Sequence, residues 1–294
     1  MTAAPVYPPR VELARLPTPV QPLPRATAAL GAPPGTVELW VKRDDLTGAV
    51  LSGNKIRKLE FLFADALAQG ADTVLTCGGA QSNHARATAL AAARLGLRAH
   101  LILRGTEPPP GAALEGNLLL DRLAGAEVTW VTPEEYGDRE ALFEELARSL
   151  RAAGRTPYVV VEGGSDAVGA WGYVRCAEEI AAHGFDTIVH AVGSGGTSAG
   201  LLAGRSLAGL AARVVGVNVC DDAAYFRRRI AGITAALADR YALPRARHAE
   251  SDIEILDGFV GRGYALSRPE ELAALRDLAR AEGVVLDPVY SGKA

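Results

Sequence analysis

The stretch Thr187-Ile188-Val189-His190-Ala191-Val192-Gly193-Ser194-Gly195-Gly196-Thr197 passes from apolar residues into a glycine-rich turn, directly ahead of a helix-forming segment that starts at Ser198. Thr187 to Val192 reads as a strand and Ser198 to Leu210 as the helix after it. A strand, a glycine turn and a helix N-terminus make an anion site, because backbone N–H groups and the positive end of the helix dipole converge there. Upstream, the same rhythm begins at Thr73. Thr73 to Thr76 precedes a helix from about Asn83 to Leu95, Ala99 to Leu103 precedes one through Asn117 to Leu123, and Glu127 to Val131 precedes Glu134 to Ala152. Tyr158 to Val161 reads as a buried strand, Trp171 to His183 as a helix, and Arg213 to Val219 as the strand after the helix that follows the glycine loop. Short apolar runs alternating with alanine-rich amphipathic stretches imply an α/β fold of two lobes, each a mostly parallel sheet covered by helices. The lobe change is expected at Glu162-Gly163-Gly164-Ser165, and the proline-rich opening up to Pro34 is expected to be an extended arm.

Composition narrows the chemistry. With 294 residues, 49% hydrophobic and 22% charged, the chain can bury a large core. A net charge of −3 and no dense basic run beside aromatic residues argue against nucleic acid. The N-terminal residues lack a basic region followed by an apolar core, and no stretch of roughly 18 apolar residues could span a bilayer. Three widely spaced cysteines, Cys77, Cys176 and Cys220, suit a reducing compartment, so cytoplasmic residence is the expectation. The five histidines show no metal-site spacing.

Only four lysines are present: Lys42, Lys55, Lys58 and Lys293. Lys55 closes Ser52-Gly53-Asn54-Lys55 where a helix begins, with Ile56, Leu59, Leu62, Phe63, Ala66 and Leu67 on one face, Asn54 as a possible cap and Gly70 as a stop. By local pattern alone such a lysine is more often a solvated side chain. Its rivals are weaker hosts for covalent chemistry, because Lys42 sits in a cluster with Arg43, Asp44 and Asp45, Lys58 lies one turn along the same helix, and Lys293 stands beside the end of the sequence. Gly78-Gly79-Ala80-Gln81-Ser82-Asn83-His84 follows a strand and opens a helix, so its backbone donors could hold a carboxylate; the plainer reading is a glycine turn with Ser82 as N-cap. His84 alone reads as a helix-surface or supporting residue. A reactive amine together with a phosphate cradle points to pyridoxal 5′-phosphate. A competing pattern is Gly196-Thr197-Ser198-Ala199-Gly200, which matches the G-x-S-x-G nucleophile elbow, with Asp221 and His248 later in hydrolase order. Gly193 and Gly195 are better explained by phosphate cradling, and a Walker loop or dinucleotide fingerprint does not fit the register.

Taken in order, Lys42 to Thr47, Ser52 to Lys55, Arg57 to Glu60, Gly78 to His84, Gly116-Asn117, Glu162 to Ser165, Gly193 to Thr197, Gly261 to Tyr264 and Asp287 to Ala294 span almost the whole chain. Jointly they resemble the D-cysteine desulfhydrase and 1-aminocyclopropane-1-carboxylate deaminase family, a branch of the tryptophan-synthase-β-like, fold-type-II pyridoxal phosphate enzymes. The resemblance implies a large cofactor-binding domain from residues 1–57 and 166–294, a small domain from 58–165, and a homodimer. It implies that Lys55 bonds the cofactor aldehyde, that Asn83 meets its phenolic oxygen, and that Gly193, Ser194, Gly195, Gly196 and Thr197 hold its phosphate. Gln81, Ser82, Asn83 and His84 would meet the substrate, with Ser82, Tyr264 and Tyr290 on the reacting side. Ser291 would face the pyridine nitrogen. Deaminases of the family carry glutamate there and desulfhydrases threonine or serine, so Ser291 favours β-elimination on D-cysteine to pyruvate, ammonia and hydrogen sulfide. The cyclopropane deaminase, a serine hydrolase built on Ser198, and a cofactor-binding protein without turnover are the alternatives. The family pattern continues beyond Gly-Lys-Ala, which makes the large domain expected to be cut short at Ala294.

Overall fold

The computed structural model describes residues 6–33 and 35–294. Its chain divides into two compact units, whose described parts are Leu16–Leu46 with Tyr173–Ala294, and Val6–Arg15 with Thr47–Gly172. The proline-rich opening is only partly the extended arm that its composition suggests. Strand β1 (Val20–Pro22) pairs antiparallel with β2 (Trp40–Lys42), and a short helix α1 (Pro24–Ala29) stands between them. Proline permits that helix because Pro24 takes its first position, where no N–H is needed.

The unit containing Thr47–Gly172 begins its regular structure with α2 (Asn54–Ala68). Four parallel strands follow: β3 (Thr73–Gly79), β4 (Arg98–Arg104), β5 (Glu127–Val131) and β6 (Pro157–Val159), in the order β5-β4-β3-β6. The crossovers are α3 (Asn83–Arg94), α4 (Gly116–Leu123) and α5 (Arg139–Ala152). Strand β3 is buried along nearly all its length, as a sheet covered on both faces requires. Leu75 and Cys77, with Ile102 and Val131, pack against Phe143 and Ala147 of α5. Thr76 alternates to the other face and meets His84 of α3.

Helix α2 departs from a simple one-faced pattern. Ile56, Leu59, Leu62, Phe63 and Ala66 are buried as expected, but so are Arg57, Lys58, Glu60 and Phe61, whereas Leu67 is 40% exposed. Burial of Glu60 is supported by donors: Leu13 N and Ala14 N reach its Oε1 at 2.9 Å each, and Arg10 Nη1 reaches Oε2 at 2.7 Å. A charged residue can thus sit inside when both of its oxygens accept hydrogen bonds.

In the other unit, α6 (Trp171–Ala181) is followed by β7 (Thr187–Val192), α7 (Gly196–Ala208), β8 (Arg213–Asn218), α8 (Ala223–Arg240), β9 (Glu254–Leu256) and α9 (Pro269–Glu282). The strands form a parallel sheet in the order β7-β8-β9. Helix α7 starts at Gly196, ahead of the expected Ser198, because two residues that read as loop already have helical backbone. Among the described residues no helix is long and apolar enough to cross a membrane, no cysteine forms a disulfide, and no side-chain group could hold a metal ion.

One buried charge lacks the support that Glu60 has. Asp121 of α4 is fully buried, and neither carboxylate oxygen has a hydrogen-bond partner among the described residues. Desolvation raises its pKa from 3.8 to about 7, with Arg86 opposing the shift. The folded state therefore holds a proton that the unfolded state has released between those values, and stability falls as pH rises through that window. Asp121→Asn is expected to stabilise the protein at pH 8 by about 1–3 kcal/mol and to change little at pH 4. Urea midpoints at the two pH values measure this, and an equal effect at both would show that ionisation of Asp121 is not the cause.

Candidate active site

Lys55 lies in the first turn of α2, half-buried. The turn before it depends on Gly53, whose φ of 91° places it where only glycine is comfortable and which serves as the N-cap in place of the expected Asn54. Arg86 of α3 holds the stretch leading into that turn: its Nη1 donates to Val50 O at 2.7 Å and its Nη2 to Ser52 O at 3.4 Å. Lys42, Lys58 and Lys293 each have structural partners. Lys42 Nζ pairs with Glu179 and donates to Thr18 O, both at 2.7 Å. Lys58 Nζ, buried rather than solvated, donates to Gly163 O at 3.1 Å and Ser165 Oγ at 3.3 Å. Lys293 Nζ donates to Val260 O, Gly263 O and Leu266 O at 2.7, 2.9 and 3.4 Å.

In the same unit as Lys55, the end of β3 turns into α3 through Gly78 to His84. Ser82 caps the helix, its Oγ accepting from His84 N and Ala85 N at 3.2 Å each. A Cβ on Gly78 would come within 2.5 Å of Ser82 Oγ, so the missing side chain lets Ser82 fold back. Asn117 then fixes the turn from the start of α4. Its backbone N–H donates to Gln81 Oε1 at 2.8 Å, and its Nδ2 donates to Gln81 O at 2.8 Å and to Asn83 Oδ1 at 2.9 Å. Acceptance at Oδ1 defines Nδ2 as the donating end of the Asn83 amide. Gly116 is required beside it, since its φ is 58° and a Cβ would stand 2.5 Å from Gln81 Oε1.

His84 faces inward rather than lying on the helix surface. Thr76 Oγ1 donates to Val160 O at 2.7 Å and so accepts from His84 Nε2 at 2.8 Å. Burial, then the nearby Lys55 and Lys58 charges, hold the His84 pKa well below the ordinary imidazole value, keeping the ring neutral.

The other unit carries the glycine loop. Gly195, the N-cap of α7, has φ 86°, and no side chain caps the helix. A Cβ on Gly193 would stand 3.0 Å from the Tyr290 ring, and Arg229 Nε donates to Ser194 O at 3.0 Å. Loop shape is thus set by close packing and one guanidinium, while the N-terminus of a 13-residue helix supplies the dipole for an anion.

Tyr290 also meets Tyr264: the hydroxyls are 2.6 Å apart and the rings lie edge to face with centroids 6.0 Å apart. Burial, then the neighbouring Tyr264, raise the Tyr290 pKa far above its ordinary value, so the phenol keeps its proton at neutral pH. Asp287 Oδ1 accepts from Val289 N and Tyr290 N at 2.8 and 2.9 Å, and Asp287 N donates to Ser291 Oγ at 3.1 Å. Because Ser291 Oγ accepts there, its own proton is what it offers elsewhere.

Arg86, Asn117, Arg229, Asp287 and Lys293 shape these two regions and were not among the expected site residues. Only Asn117 and the Asp287-to-Ala294 run carried a signal, as members of recognisable motifs; the two arginines had none.

The nucleophile-elbow reading finds no support. Ser198 lies within α7, and its buried Oγ has no hydrogen-bond partner among the described residues. His248 Nε2 instead contacts Leu202 O and Ser206 Oγ, both at 3.1 Å. A base directed at a backbone carbonyl cannot take the Ser198 proton.

Known proteins resemble the chain over nearly its full length. It is 47% identical over 296 residues to the bifunctional D-cysteine desulfhydrase/1-aminocyclopropane-1-carboxylate deaminase of Arabidopsis thaliana, covering 96% of this chain and 70% of that one. Identity to the D-cysteine desulfhydrase of Salmonella choleraesuis is 41%, covering 97% and 86% of the two chains. The solved structure of a 1-aminocyclopropane-1-carboxylate deaminase homologue superposes with a TM-score of 0.87 at 40% identity, covering 98% of this chain and 85% of that one. The family model described as "Pyridoxal-phosphate dependent enzyme" matches residues 11–294, and with a parallel α/β fold and these relatives the chain belongs to that family of fold-type-II enzymes.

Proposed function

We propose that the protein eliminates hydrogen sulfide from D-cysteine, giving pyruvate and ammonia. The observation that carries this reading is the hydroxyl at position 291, engaged as an acceptor by Asp287 N and so retaining a proton to donate. Such a group suits a neutral pyridine nitrogen, whereas a carboxylate would hold that nitrogen protonated.

Each unit carries residues of the kind that pyridoxal phosphate requires: in one, an α7 N-terminus without a side-chain cap for the phosphate and Ser291 for the ring nitrogen; in the other, a defined amide donor at Asn83 for the phenolic oxygen and Lys55, in the first turn of α2, for the aldehyde. When bound, the cofactor supplies the electron sink that makes the Cα proton of an amino acid acidic. Lys55 Nζ is the base that removes that proton. Gln81, Ser82, Asn83 and His84 form the carboxylate-binding turn, with His84 acting through its hold on Thr76. The Tyr264 and Tyr290 hydroxyls, sharing one short hydrogen bond, are placed in the role of passing a proton to the departing thiolate. D-Cysteine and water together balance pyruvate, ammonia and hydrogen sulfide.

The deaminase reading keeps a specific support, since one relative is named for both activities and the superposed structure is named a deaminase homologue. The division into a small domain of residues 58–165 and a large remainder, a homodimer and cytoplasmic residence complete the proposal. Light scattering on the cofactor-loaded protein measures the subunit count.

Three substitutions test the reading. Lys55→Ala is expected to abolish elimination. Borohydride reduction followed by peptide mapping should attach the cofactor to Lys55 alone, and a reduced adduct on Lys42, Lys58 or Lys293 would overturn the assignment. Ser198→Ala, which removes a hydroxyl without a partner, should change stability by less than about 1 kcal/mol and leave turnover intact. Labelling of Ser198 by a fluorophosphonate, with ester hydrolysis lost in the variant, would restore the hydrolase alternative. Ser291→Glu should lower sulfide release from D-cysteine by about tenfold or more, because a carboxylate replaces the neutral donor. Comparable rates of pyruvate and 2-oxobutanoate formation by the unmodified enzyme, on D-cysteine and the cyclopropane amino acid respectively, would show that Ser291 does not set the substrate.

A further inference from the structure

The ammonium of Lys293 is 4% exposed as a residue, and its three N–H donors are directed at carbonyl oxygens of a single loop, at Val260, Gly263 and Leu266. Those carbonyls stand three residues apart, at the corners of two consecutive tight turns: Gly263 N donates to Val260 O and Leu266 N to Gly263 O. Tyr264 lies between the second and third corners. We propose that Lys293 is a positioning residue, which winds the Val260–Leu266 loop around its ammonium and thereby holds the Tyr264 hydroxyl 2.6 Å from that of Tyr290.

The backbone of the loop shows why such a clamp is needed. Gly261, Gly263 and Ala265 have φ of 69°, 129° and 60°, so the chain turns through the left-handed region three times within five residues, twice at glycines that allow it and once at an alanine that does so under strain. Segments of this kind keep one shape only where their surroundings over-determine it. Tyr264 itself is 37% exposed and anchors the loop poorly by burial. On its other side the loop meets Glu271, whose Oε1 would lie 2.6 Å from a Cβ on Gly261 and which is held by Arg268 N and Nε at 2.9 Å each. Those contacts fix the loop's exit into α9, not the stretch that carries Tyr264. Lys293 meanwhile belongs to the same turn as Tyr290, its N–H donating to Tyr290 O at 3.0 Å. One residue thus joins the loop of Tyr264 to the turn of Tyr290, and the spacing of the two hydroxyls follows from that join.

The catalytic consequence rests on the reading that Tyr264 and Tyr290 serve the leaving thiolate; the clamp itself does not. Lys293→Met keeps the buried methylene stem and removes the charge and all three donors. In the cofactor-loaded variant, amide hydrogen exchange in residues 261–266 is expected to quicken by about tenfold or more, while the β8 amides exchange as before. The kcat for D-cysteine should fall by about tenfold, KM should change by less than about threefold, and adding Lys293→Met to Tyr264→Phe should cost no further kcat. Lys293→Arg, which keeps charge and donors in a different shape, should recover part of both the protection and the rate. Unchanged exchange in 261–266 overturns the clamp whatever the substrate proves to be. Faster exchange with fully additive kcat losses overturns the coupling to Tyr264 and leaves D-cysteine as substrate. If the unmodified holoenzyme does not turn over D-cysteine, the substrate reading fails separately, and the exchange of 261–266 in Lys293→Met and Lys293→Arg still decides the clamp. Should Lys293→Met fail to fold, as shown by quickened exchange in β8, the arginine variant decides: full protection of the loop supports donation by a cation, and wild-type kcat with an unprotected loop refutes positioning.

Discussion

A helix that begins within a few residues of a strand's end must satisfy its first N–H groups on the spot, and much of what this chain presents to chemistry follows from that constraint. At the start of α3 the demand is met internally, because Ser82 Oγ accepts from two backbone N–H groups and Asn117 ties down the residues before it. What that turn presents is therefore set by side chains, with the Asn83 amide held in one orientation. At the start of α7 no side chain caps the helix, and glycines occupy positions 193 and 195. There the backbone N–H groups are left without a side-chain cap, the arrangement that an anion complements at a helix N-terminus. Two turns of the same strand-to-helix topology thus differ because one carries a capping hydroxyl and the other does not.

Much of the fold was legible because apolar runs and their glycine punctuation are local signals. Glu127–Val131 and Thr187–Val192 are strands with the expected bounds, and the four-stranded and three-stranded sheets are parallel as the alternation with helices requires. Misreadings arose where a distant partner reverses a local tendency. Lys58 and Lys293 carried no sign in sequence of their burial, because the carbonyls that receive their ammonium groups lie 105 and 30 or so positions away. His84 read as a helix-surface or supporting residue, and nothing nearby in sequence shows that Thr76 receives its ring. The link from Asn117 to Gln81 spans 36 residues, so its effect on the turn could not be inferred from spacing. The short helix in the proline-rich opening was hidden for a different reason, since a proline at a helix's first position resembles, in sequence, one that prevents helix altogether.

The buried charges show a consistent division of labour. Glu60 accepts from two backbone N–H groups and an arginine, Lys58 donates to a carbonyl and a hydroxyl, and Lys293 to three carbonyls. Each therefore ties a second segment to its own element, and each is costly to neutralise because its partners would then be left unpaired. Asp121 departs from the pattern, and its pKa of about 7 is the expected result of burying a carboxylate without donors. Ionic groups in this protein hold backbone in place when hydrogen-bonded and weaken the fold when they are not.

The turn from Asp287 to Lys293 gathers these themes into one short segment. Asp287 accepts from the N–H groups of Val289 and Tyr290 and donates its own to Ser291, and Gly292 N returns to Asp287 O at 2.8 Å. Gly292 has no room for a side chain, since a Cβ would lie 2.7 Å from Leu275. The frame thus fixes Tyr290 under Gly193, Ser291 against Asp287 and Lys293 under the Val260–Leu266 loop. It also bears on the chemistry at position 291. A second carboxylate there would lie beside that of Asp287, with like-charge repulsion and no added donor to offset it. A hydroxyl satisfies Asp287 N and still has a proton to give, so the local frame itself favours a neutral donor at this position.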